Sequence, residues 1–262
     1  MSLRVAISFL LCISVLQLPL SGRQAAVTPA ATVVRDPQSV ALLGQALSVA
    51  GGIENLLAIQ DFSATGNITY FWAGEQASGT VTLRQAGIDH FRLDAALPQG
   101  TRSWVVSAGK GILKNFDGTS ALIPNQSALS LGALGFPQLR MAATLNDTSS
   151  SIRSFGQVTL GERQAYAIHT QRGSFSTGNL TTIDYFIDLA TCQLLLVRDT
   201  SGPQGSIIQQ VRHDVEYSDY RLFNGVLFPL RITEKLNDQT TWTIQVSSIA
   251  LNTGLTESNF IL

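Results

Sequence analysis

Residues Val211 to Val246 read VRHDVEYSDYRLFNGVLFPLRITEKLNDQTTWTIQV, and this stretch decides the fold class. Apolar side chains recur at every second position. Val211, Val215 and Tyr217, with His213 in phase, are followed by Val226, Phe228, Leu230 and Ile232, then by Trp242, Ile244 and Val246. Asn224-Gly225 and Asn237-Asp238 separate the three runs, and both dipeptides suit tight hairpin turns with positive φ. A period of two sends successive side chains to opposite faces. The stretch is therefore a meander of three antiparallel strands, each with one dry face.

The same alternation extends upstream. Ile68, Tyr70 and Trp72 alternate with polar neighbours, as do Val81 and Leu83, then Phe91, Leu93 and Ala95. Trp104 and Val106, and Ile112 to Phe116 up to the Asp117-Gly118 turn, continue the series. After a break it resumes with Val158 and Leu160, Tyr166 and Ile168, Ile183, Tyr185 and Ile187, and Leu194 to Val197. Two segments depart from it. Asp36 offers an N-cap, Pro37 a first helical residue, and Val40, Leu43, Leu47 and Ala50 keep helical spacing until Gly51-Gly52. Residues 125–145 are rich in Leu, Ala and Met and are cut by Gly132, Gly135 and Pro137, which predicts a helical insertion. The insertion reads equally well as core packing or as a lid over a pocket.

So many one-sided strands with so few helices predict a mainly β (α+β) fold, a single curved antiparallel sheet forming an unclosed half-barrel around short helices. Such a sheet can enclose a cavity. The inward strand parity assigns its lining to Phe91, Leu93, Trp104 and Val106, then Val215, Tyr217, Phe228, Leu230, Trp242 and Ile244. From the insertion, Leu131, Leu134, Phe136, Leu139 and Met141 would close it.

The amino terminus divides into an exported-protein signal peptide over 1–25, with Arg4 ahead of an apolar run, and a flexible tether over 26–35. The half-barrel domain then occupies 36–262. This organisation places the protein in the periplasm or outside the cell, with no transmembrane segment once the signal is removed. Acidic and basic residues nearly cancel, at a net charge of -1, and lysine occurs only at Lys110, Lys114 and Lys235. That scarcity gives no basic stripe for nucleic acid. Cys12 lies inside the signal, which leaves Cys192 without a partner for an intrachain disulfide.

The inventory of reactive groups is thin. No metal-binding, phosphate-binding or nucleophile-elbow motif occurs, so the reading is of a non-enzyme with no catalytic residues, no metal and no cofactor. His213 shares the dry face of its strand and reads as a core or pocket-lining imidazole; Asp214 projects to the other face and cannot orient it. Asp184 and Asp188 share a face and read as solvated surface carboxylates.

A family resemblance rests on particular residues: the helix ending at Gly51-Gly52, Phe91-Arg92-Leu93-Asp94, the apolar insertion, Tyr220-Arg221, Asn224-Gly225, Phe228-Pro229, Asn252 and Phe260. Together they resemble the periplasmic lipoprotein carriers of Gram-negative bacteria, the LolA/LolB-like group, and relatives described as outer-membrane lipoprotein-sorting proteins. The resemblance implies a half-barrel with a helical lid over a cavity for lipid or lipoprotein acyl chains, in a monomer that passes them toward the outer membrane. It also implies a lid-fastening arginine, for which Arg84 is the nearest match. A second reading draws on the similar architecture of periplasmic stress regulators: a sensor domain that binds an envelope protein partner.

Overall fold

The computed structural model describes residues 33–72, 74–174, 179–201 and 210–262. The expected signal peptide over 1–25 and residues 26–32 of the expected tether lie outside the described residues. Asp36 caps helix α1 (Pro37–Val49), its carboxylate accepting the Ser39 amide at 2.8 Å. Gly51 ends the run at φ 126°, where an added Cβ would sit 2.5 Å from the Gly225 carbonyl oxygen. A short helix α2 follows (Ile53–Leu57).

The strands are β1 (Asp61–Trp72), β2 (Glu75–Ala86), β3 (His90–Leu97), β4 (Gly100–Ser107), β5 (Lys110–Lys114) and β6 (Ser120–Ile123). Helices α3 (Asn125–Leu131) and α4 (Pro137–Asn146) form the insertion. The chain then continues through β7 (Ser151–Leu160), β8 (Arg163–Ser174), β9 (Asn179–Asp188), β10 (Leu194–Ser201), β11 (Val211–Phe223), β12 (Val226–Leu236) and β13 (Gln239–Leu251). A 3₁₀ turn at Glu257–Phe260 ends it.

All thirteen strands join one sheet in the order β6-β5-β4-β3-β2-β1-β13-β12-β11-β10-β9-β8-β7. Neighbouring strands are antiparallel throughout, and β6 and β7 form the two edges without pairing to each other, β7 meeting beyond β8 only a single parallel bridge from Arg35 to Ile152, so the sheet is unclosed as the alternation predicts. It is also strongly curved. Helix α3 touches β4 and β5 on one flank and β9 and β10 on the other. In a flat sheet β5 and β9, nine places apart in the strand order, would be separated by about 43 Å at roughly 4.8 Å per strand. A helix of 7 residues is only about 10 Å long, so the flanks must curl toward each other for both to reach it.

Cross-strand rows build the core on the inner face. Ile68 pairs with Ile244, Ile244 with Ile232, and Ile232 with Tyr217, so four strands bury one continuous apolar row. Phe136 stacks on Phe228 with ring centroids 4.2 Å apart, and Phe62 packs edge-on against both. Burying side chains of this size stabilises by about 1.5–3 kcal/mol each. The α4 carboxyl end is held by Arg35, whose guanidinium donates to the carbonyls of Leu145 at 2.6 Å and Asp147 at 2.8 Å.

Candidate functional site

Among the described residues, curling leaves a substantial space between the flanks. The cavity measures about 550 Å³, within the usual range for small-molecule sites, and α3 roofs it with Ser127 and Leu131. Trp104 of β4, Leu113 of β5 and Ile123 of β6 line one side; Leu236 of β12 and Trp242 of β13 line the other. Phe71 and Leu122 also line it and are 41% and 71% exposed, which places apolar side chains at a rim open to solvent. Tyr70 and Arg102 separate this space from a smaller cavity of about 240 Å³ lined by Ala77, Leu97 and Phe116, since both residues line both.

One wall is ionic. Strand register sets Asp199 of β10 directly opposite His213 of β11, and Glu234 of β12 diagonally beyond. His213 Nδ1 lies 2.5 Å from Asp199 Oδ1 and Nε2 lies 3.1 Å from Glu234 Oε1. Thr241 donates its hydroxyl to the other Glu234 oxygen. Burial by itself would favour the neutral ring, but the Asp199 carboxylate, reinforced by Glu234, outweighs it and holds His213 well above the ordinary imidazole range. The ring is thus an imidazolium with a carboxylate on each nitrogen. It has no lone pair left to take a proton, and its carboxylates, on opposite sides, cannot turn onto one metal ion.

Three further residues complete this end. Tyr70 packs edge-on to Trp104, which tilts against Trp242, with ring centroids 6.3 and 5.8 Å apart. The Arg102 guanidinium lies 5.5 Å from the Tyr70 ring centre and 5.4 Å from that of Trp104.

Of the residues assigned to the lining from strand parity and the insertion, Trp104, Leu131 and Trp242 border the large cavity. Leu134, Val215 and Tyr217, with Leu131, border a narrow cleft of about 20 Å³ beneath α3. Phe91, Leu93, Val106, Phe136, Leu139, Met141, Phe228 and Ile244 face inward and are enclosed by other side chains of the core, while Leu230 is half-buried against it. Sequence reasoning missed Arg102, Asp199 and Glu234. They stand on three separate strands, β4, β10 and β12, and only register and the curl of the sheet bring them to one place.

Two expectations about charged residues are corrected. Arg84 does not fasten the insertion; it faces outward and pairs with Asp94 at 2.9 Å, beside Arg92 at 2.8 Å from the same oxygen. Its neighbour Gln85, fully buried, holds the insertion instead, accepting the Phe136 amide at 3.1 Å. Tyr217 donates to the Leu134 carbonyl at 2.8 Å and Arg140 to the Ile88 carbonyl at 2.6 Å. Asp184 and Asp188 are not a solvated pair either. Asp184 lies 2.6 Å from His169, and buried Asp188 accepts the amides of Ala190 and Thr191 at 2.8 and 2.9 Å, capping the β9–β10 turn.

No helix among the described residues is long and apolar enough to cross a membrane. No protein-family model matches the sequence, and no curated protein matches it. Solved structures do. An outer membrane lipoprotein-sorting protein domain from Vibrio parahaemolyticus is 10% identical, with a TM-score of 0.50 over 85% of this chain and 96% of that one. A LolA superfamily protein from Nitrosomonas europaea is also 10% identical, with a TM-score of 0.50 over 83% of this chain and 97% of that one. The chain has the LolA-like fold that its sequence resembles.

Proposed function

We propose that this protein is an exported, non-catalytic carrier that holds the acyl chain of a lipid or lipoprotein in the cavity between the flanks of its sheet. The observation that carries the reading is the space itself: about 550 Å³, bordered by Trp104, Leu113, Leu131 and Trp242, and entered past Phe71 and Leu122. Each methylene moved from water into such a lining is favourable by about 0.8 kcal/mol, so a long chain gains several kcal/mol from a partial fit. The LolA-like fold agrees with this, since one structural neighbour is described as a lipoprotein-sorting domain. The same likeness and the expected amino-terminal signal support transfer toward the outer membrane from a periplasmic location. The ionic wall supports a binding role over a catalytic one, because His213 is engaged at both nitrogens.

The test is uptake and displacement of a fluorescent fatty-acid probe by the mature protein, with mass spectrometry of lipids that co-purify from the native host. Saturable uptake and a co-purifying acyl lipid are expected. A folded protein that takes up no probe and carries no lipid would replace this reading with that of a domain binding an envelope protein.

A further inference from the structure

The partition between the two cavities, with the large-cavity wall beside it, carries hydrogen-bond donors with no acceptor in the protein. Tyr70 Oη, Arg102 Nε and Trp242 Nε1 are each buried, and none has a partner in the protein. Tyr70 and Trp242 are 7% and 0% exposed and are directly paired across β1 and β13. The carboxylates of this wall are turned to other donors, Glu234 to His213 and Thr241 and Asp199 to His213, and neither accepts from these three. An unsatisfied buried donor costs about 1–3 kcal/mol, so these three favour an occupant of the cavity that brings an acceptor to them.

Tyr70 and Arg102 are the two residues shared by the 550 Å³ and 240 Å³ cavities. Arg102 is also the partly exposed member, resting on the Tyr70 and Trp104 rings. A long unbranched side chain held by stacking alone can swing aside, joining the two spaces and uncovering the Tyr70 hydroxyl. We propose that Tyr70 and Arg102 form a gate that binds the carbonyl oxygen of an uncharged acyl ester, with Trp242 adding a third donor from the large-cavity side. The ester would sit at the partition, with apolar chain extending into the larger space.

Charge decides for an uncharged head. Arg102 and the His213 imidazolium balance the Asp199 and Glu234 carboxylates along this wall, so a second anion gains little and meets two carboxylates lining the same cavity. Burial pushes the Tyr70 phenol far up, Arg102 opposing this and Glu234 adding to it, so the hydroxyl keeps its proton for donation.

This assignment rests on the carrier reading, and the experiment separates the two. Displacement of the fluorescent fatty-acid probe is measured with 1-monomyristoylglycerol, its ether analogue 1-O-tetradecylglycerol, which lacks only the carbonyl, and myristate. Wild type is expected to prefer ester over ether by about tenfold, the worth of a hydrogen bond that includes one charged donor. The ratio should fall to about one in Tyr70→Phe and in Arg102→Met. It compares two ligands on one protein, so a general loss of stability does not move it. Equal binding of ester and ether by wild type, or a ratio that survives in both variants, would overturn the gate while leaving the carrier intact. Myristate binding tenfold tighter than the ester would overturn the uncharged head. Failure of ester and ether alike to displace the probe would overturn the carrier reading and the gate with it.

Discussion

Gln85 grips Phe136 through its backbone: the Phe136 amide donates to Gln85 Oε1 at 3.1 Å, and Gln85 Nε2 lies 3.5 Å from the Phe136 carbonyl. Both residues are fully buried, so this is the point at which the helical insertion is riveted to β2. Gln85→Leu would leave the Phe136 amide without an acceptor, at a cost of about 1–3 kcal/mol. Urea unfolding should show the loss, and hydrogen exchange should show faster exchange of the Phe136 amide. Unchanged protection there would mean that the insertion is held elsewhere.

Phe136→Ala removes the ring that stacks on Phe228 and meets Phe62, and large-to-small changes at such sites cost about 3–5 kcal/mol. The same change at half-buried Leu131, which faces the cavity, should cost clearly less. Thermal melts of the two variants check the order, and equal losses would show that α3 packs as tightly as the rest of the core.

Leu131→Asp sets a charge in the roof of the cavity, on the path of the acyl chain proposed as its ligand. Probe affinity should fall about tenfold or more, whereas Leu222→Asp, at a side chain 70% exposed and outside that lining, should leave it unchanged. Circular dichroism confirms folding of both. Loss of binding in both variants alike would dissociate affinity from the cavity.

Protonation of His213 should be visible directly. Its folded-state value lies well above the roughly 6.5 of an unfolded imidazole, so its contribution to stability is complete below that pH and is lost as pH rises through the folded value. Ring resonances assigned to His213 should stay those of an imidazolium through neutral pH, while stability declines on the alkaline side. His213→Leu leaves two buried carboxylates without their cation and should cost about 3–5 kcal/mol at neutral pH. A neutral ring at pH 7 would dissolve the ionic wall as described.

Amino-terminal sequencing of exported protein should find a start between Ser21 and Ala31, after the apolar run. Recovery of Met1 in a membrane fraction would show a retained anchor.

What the sequence determined by itself was local. Alternation in Val211 to Val246 and its upstream counterparts was enough to specify strands, faces and turns, because side-chain direction in a strand depends only on parity. Asp36, Pro37 and Gly51 likewise bounded α1, through capping and backbone conformation that need no distant partner. Parity also named side chains that face inward, such as Phe91, Leu93 and Ile244, but facing inward does not distinguish a core residue from one that borders a cavity. That distinction belongs to the curl of the sheet, which brings β5 within reach of the helix that β9 also touches. The ionic wall shows the limit most sharply. From sequence, Asp214 was the nearest acid to His213 and lay on the wrong face; the acids that hold the ring are Asp199, 14 residues before it, and Glu234, 21 residues after it. Their meeting depends on the register of β10 and β12 against β11, and a shift of one residue in either would turn the carboxylate to the opposite face. Register is set jointly by every pair along the ladder, so only the tertiary structure could decide it.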